Sequence, residues 1–149
     1  MNFSKKVIYT IFSILLCATV SCNVEPEQIN YGSDACAFCK MTIVDQQHAS
    51  QYVTKKGKQF KFDAIECMVN AIAEKGSEEV KIFLVADYQV PGSMISAQEA
   101  AYLISKEIKS PMGANLSAFA SKEKAVITQK DKGGDIYNWQ ELLIKFDAE

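Results

Sequence analysis

Two stretches of the chain echo one another, and the echo limits the folds open to it. Residues 62–76 and 119–133 each begin with Phe, run through a helix-like pattern and end in Lys-Gly. Five of their fifteen aligned positions match: Phe62/Phe119, Glu66/Glu123, Val69/Val126, Lys75/Lys132 and Gly76/Gly133. The spacing predicts two small strand-strand-helix units in an α+β chain. Four helices are expected from their caps. Asp63-Ala64-Ile65-Glu66 reads as a capping box, with Phe62 and Cys67 at the staple positions. Ile65, Met68, Val69 and Ile72 form its apolar stripe, and Gly76 stops it. Ser96-Ala97-Gln98-Glu99 reads as a second box, with Ala97, Ala100, Ala101 and Ile104 as the stripe. Ser121 can cap a shorter helix that ends at Gly133-Gly134. Asn138-Trp139-Gln140-Glu141 opens the last, with Trp139, Leu142, Leu143 and Phe146 inward. Strands are expected at 41–44, 49–54, 59–62, 80–87 and 116–119, and Lys55-Lys56-Gly57-Lys58 reads as a hairpin turn.

The N-terminus follows other rules. Lys5 and Lys6 precede an apolar run, residues 7–20, and then Ser21-Cys22. A basic start, an apolar stretch short for a membrane span and a small residue before Cys form the pattern of a bacterial lipoprotein signal. The bland alternatives are an ordinary secretory signal or an anchor helix. On the lipoprotein reading residues 1–21 are removed, Cys22 carries the lipid, and residues 22–33 tether it to a domain at 34–149. The two units of that domain are expected at about 34–78 and 79–149. Loss of Lys5 and Lys6 would take the net charge from −2 to −4, so acyl chains rather than charge would hold the protein to a membrane.

Composition excludes several functions. All 16 basic residues are lysine, whereas nucleic-acid binders carry a basic excess and arginine forks. The single histidine, His48, leaves no histidine cluster for a metal. No acid–base pair and no phosphate loop stands out, so no enzyme is expected. The chemistry gathers in Cys36-Ala37-Phe38-Cys39-Lys40-Met41, followed by His48. Thiolate and thioether are soft donors that select Cu(I) over hard cations, and methionine is the discriminating residue. A Met two residues past a Cys on an emerging strand points to the same side, so Cys39 and Met41 can face one metal. Cys67, off its helix's apolar stripe, can face the same loop. Other readings stay open at this point. Cys36 and Cys39 can form a disulfide or a redox pair. Cys36, Cys39, His48 and Cys67 can form a zinc site. Cys67 can be a buried staple contact, Met41 and Met112 core fillers, and His48 an ordinary surface residue.

These motifs together resemble the NosL family of nitrous oxide reductase accessory lipoproteins. The resemblance runs through Cys36-x-x-Cys39-x-Met41, His48-Ala49, Phe62-Asp63, Cys67-Met68, Asp87-Tyr88, Ser110-Pro111-Met112-Gly113 and Gly133-Gly134. Its fold implies a pair of treble-clef-like strand-strand-helix units. Its function implies a Cu(I) metallochaperone that serves the copper–sulfide cluster of the reductase. The implied partners are that enzyme and its maturation transporter complex. The implied location is a bacterial membrane, the outer one by preference, facing the periplasm, as a monomer or weak copper-linked dimer. The implied ligands are Cys39 and Met41, with Cys36, His48, Cys67, Met68 and Met112 as further candidates. One departure is visible: the family usually places Gly where this chain has Lys40, which costs backbone freedom beside the metal loop.

Overall fold

The computed structural model describes residues 24–147. The expected signal at 1–21 and the expected lipidation site, Cys22, lie outside these residues. Seven strands and three helices follow one another among the described residues. The first part holds β1 (Ser50–Thr54), β2 (Gln59–Phe62), α1 (Ile65–Lys75), β3 (Val80–Ala86) and β4 (Met94–Ser96). The second holds β5 (Ala101–Ile104), β6 (Leu116–Phe119), α2 (Lys122–Lys132), β7 (Asp135–Tyr137) and α3 (Trp139–Asp147). Two antiparallel sheets result, ordered β2-β1-β3-β4 and β6-β5-β7. This is the expected α+β class.

The echo in the sequence is an echo in the backbone. In each sheet a hairpin leads into an eleven-residue helix, and the next strand returns to pair with the hairpin's first strand. Phe62 pairs with Ser50 and Phe119 with Ala101, so each Phe closes its hairpin opposite the first residue of the partner strand. Gly76 and Gly133 end the helices at φ 76° and 64°, a region closed to most side chains. Each glycine N–H donates to a helix carbonyl, Ile72 O at 2.8 Å and Gln129 O at 2.7 Å. The repeated element is therefore strand-strand-helix-strand. The strand β3, beyond residue 78, belongs to the first sheet.

Two caps form as expected. Ser121 Oγ accepts from the Lys124 N–H at 3.4 Å. Asn138 and Glu141 make a reciprocal box, each side chain accepting from the other's N–H at 3.0 and 2.8 Å. Two expectations are corrected. Asp63 and Glu66 do not cap α1: its N-cap is Ala64, with no side-chain bond. Both carboxylates are turned to other work, described below. The helix expected from Ser96 is absent as well. Ser96 O accepts from the Ala100 N–H at 3.0 Å, one turn forms, and the chain then pairs as β5. A sheet needing a central strand outweighs the helix propensity of its alanines. Residues 41–44 give only an isolated bridge, Ala35 to Thr42.

One aromatic joins the two sheets. Trp139 of α3 lies 5.7 Å from the Phe83 ring of the first sheet and 5.9 Å from the Tyr102 ring of the second. Tyr52, Phe62, Met68, Val85 and Leu142 fill the core around it.

Candidate metal centre

The loop from Cys36 to Met41 is a tight turn. The Cys36 N–H donates to Met41 O at 2.8 Å, and the Lys40 N–H to Cys36 O at 3.1 Å. The Ala37 N–H donates to Lys61 O at 2.8 Å and fastens the turn to β2. Lys61 Nζ reinforces it from the side chain, 2.8 Å from Asp34 Oδ2. Closing the turn puts Lys40 at φ 69°, in the left-handed region that favours glycine. Its Nζ donates back to Ala37 O at 2.7 Å.

This turn faces the start of α1, where Asp63 and Cys67 lie one helical turn apart. Ligand atoms of Cys36, Cys39, Asp63 and Cys67 all lie within 4.8 Å of one another. Cys36, Asp63 and Cys67 are buried and Cys39 is partly open. All three thiols are free. The Cys39 and Cys67 thiols each donate to Asp63 Oδ1 at 3.3 Å. The Cys36 and Cys67 sulfurs lie within 4.8 Å of one another, and the Cys67 thiol is the main cause that brings the Cys36 thiol down to about 6. Backbone N–H groups of Asp63, Cys39 and Phe38 add to this, against the cost of burial. Burial pushes Cys39 up to about 11. The nearby Cys36 sulfur, with burial adding, pushes Cys67 up as well. Of the three thiols Cys36 is thus the most readily deprotonated, and a soft cation could displace the remaining protons.

The other candidates take separate places. Met41 is 55% exposed and follows by two residues Cys39, the most open of the three thiols. Met68 is fully buried in the core. His48 is not brought into the cluster. It is buried, with Nδ1 2.9 Å from Asp45 Oδ2 and Nε2 3.2 Å from Ser117 Oγ. Both ring nitrogens have protein partners, and its burial overturns the surface reading. Met112 is 42% exposed on the loop between β5 and β6. That loop is tied to α1 by Glu66, whose Oε1 accepts from Ser110 Oγ and, at 3.3 Å, from the Ala114 N–H. Glu66 Oε2 is buried without a partner. Asp63 was missed as a site residue because its capping role looked complete. Its place four residues before Cys67, just ahead of the N-cap of α1, is the signal that points to it.

A duplicated α+β fold with three free thiols and a carboxylate gathered at one turn defines a small protein with a candidate soft-metal centre. The chain belongs to the NosL family, whose model matches residues 28–145. Among solved structures it is similar to the copper chaperone NosL from Shewanella denitrificans, with a TM-score of 0.70 and 20% identity. The match covers 80% of this chain and 96% of that one. No curated protein sequence matches the chain.

Proposed function

We propose that the protein is a Cu(I) metallochaperone, anchored by lipid at Cys22 and facing the periplasm. It carries no catalytic role. Its cargo goes to nitrous oxide reductase, with the maturation transporter complex as the second partner. The observation that supports this best is the meeting of Cys36, Cys39 and Cys67 within 4.8 Å, in a member of a family that contains a copper chaperone. Two or three soft donors bind Cu(I) and leave room for a ligand from an acceptor. Cys39 is the anchor on the open side, and the exposed Met41 thioether is the donor nearest solvent. Cargo therefore leaves across the Cys39–Met41 edge by ligand exchange. With His48 engaged elsewhere, the third donor is Cys36 or Cys67.

A second reading rests on Asp63. Three thiolates and a carboxylate make a complete tetrahedral set for zinc. Cu(I) has little use for a hard oxygen, so in the copper reading Asp63 only holds thiol protons. An anaerobic competition titration separates the two. For copper, Cys39→Ala weakens Cu(I) binding by more than about a hundredfold, on the scale of changes around metal ligands, while Asp63→Asn leaves it nearly unchanged. Cu(I) binding by Cys39→Ala as tight as wild type sinks the copper reading. Zinc held at one per chain, lost in Asp63→Asn and not exchanged by Cu(I), establishes the structural alternative.

A further inference from the structure

The two copies of the fold can be set in register through their backbone bonds. In the first, the Ala37 N–H donates to Lys61 O, the residue before Phe62, at 2.8 Å. In the second, the Tyr88 N–H donates to Ala118 O, the residue before Phe119, at 2.8 Å. Thirteen residues separate Ala37 from the start of β1, and thirteen separate Tyr88 from the start of β5. Each turn is closed by its own first N–H, Cys36 to Met41 O and Asp87 to Ser93 O, both at 2.8 Å, the second turn being one residue longer. Counted from the head of each turn and of each helix, Asp87 is the counterpart of Cys36, Val90 of Cys39, Ala120 of Asp63 and Lys124 of Cys67.

The counterparts also meet in space. In the first copy the Cys36 sulfur lies within 4.8 Å of the Cys67 sulfur. In the second copy, Asp87 Oδ2 lies 3.8 Å from Lys124 Nζ, and Asp87 Oδ1 accepts from the Gln89 N–H at 3.1 Å. In both copies the side chain at the head of the turn thus meets the side chain in the first turn of the helix. Facing it is a thiol in one copy and an ammonium in the other. The Asp87 side chain is only 4% exposed, so its charge requires a partner close by.

We propose that the second unit holds the same cation site in closed form. Lys124 supplies a tethered cation where the first unit leaves room for a metal ion, and Asp87 takes the part of Cys36. Val90 and Ala120 remove the remaining donors, so the folded domain has one metal site. The second turn is pinned without metal, and only the first changes state with cargo. The inference rests on the thiol cluster being a metal centre, not on the metal being copper or on its delivery.

The test is a graft in the full-length protein: Asp87→Cys, Val90→Cys, Ala120→Asp and Lys124→Cys together. Wild type and variant are reduced, titrated with Cd(II) and separately with Cu(I), desalted and analysed for metal. The expected result is one more equivalent of Cd(II) in the variant than in wild type, with a matching rise in thiolate-to-metal absorbance. A folded variant holding no more Cd(II) than wild type overturns the proposal. Cd(II) uptake without Cu(I) uptake leaves it standing and counts against the copper reading alone. Should the fourfold variant fail to fold, the cycle of Asp87→Asn, Lys124→Met and their double decides. Melting points lowered less in the double than by the two singles combined support the pin, and additive losses overturn it.

Discussion

Lys40 shows how a single residue sets the shape of the metal turn. Its φ of 69° places a side chain where the left-handed backbone costs about 1–2 kcal/mol. The strain is partly offset by the bond from Nζ to Ala37 O, which keeps the tip of the turn closed. Glycine would relieve the strain, lose the bond and gain freedom in the unfolded chain. Lys40→Gly is expected to raise stability by no more than about 1 kcal/mol, read from urea unfolding of the metal-free protein. A loss above that size means the Lys40–Ala37 bond matters more than the backbone. At the same scale, the thiols make metal-free stability depend on pH in both directions. Cys36 is held below its ordinary value, so its contribution is complete above the unfolded thiol range and fades as pH falls toward 6. Cys39 and Cys67 are held above theirs, so theirs is complete below that range and fades as pH rises toward 11 and beyond.

Among the elements, α1 does the most for the centre, and it does so by giving up its cap. Asp63 faces the thiols, and Glu66 reaches the loop between β5 and β6. Its counterpart Glu123 stays in the first turn of α2, with Ser121 capping that helix. A chain of donors runs from the Asn115 N–H to Ser110 Oγ at 2.8 Å, and from Ser110 to Glu66. Glu66→Leu leaves the Ser110 and Ala114 donors without an acceptor and is expected to cost about 2 kcal/mol. Glu66→Gln keeps the acceptor and is expected to stay within about 1 kcal/mol of wild type. Amide exchange at Ala114 checks both: fast in the first, slow in the second. The helix stripe, the hairpin and the echo were legible in the sequence because burial and turn chemistry set them locally. Asp63 and Glu66 were not, since a capping box and a buried carboxylate pair look alike until the tertiary contacts are known. The stretch from Ser96 misled for a related reason. Its alanines suit a helix, but the second sheet has no other residues for its middle strand. At the centre, the three domain cysteines were legible as donors. The engagement of His48 was not, because Ser117 comes from a strand 69 residues away.

Over the whole molecule, α3 is one of the ties between the two sheets. Trp139 is 4% exposed between Phe83 and Tyr102. Trp139→Ala removes a contact that both sheets share and is expected to cost about 3–5 kcal/mol, measured by thermal or urea unfolding. A loss confined to one sheet, visible as two separate transitions, would show that the halves fold independently. The same residue has an optical consequence. It is the chain's one tryptophan, so intrinsic emission from the indole comes from a single known place. That place is the seam between the sheets, packed among rings and shielded from water. Its emission should be blue-shifted in the folded protein and move to the red when the seam opens, giving a label-free signal of sheet docking that requires no mutation.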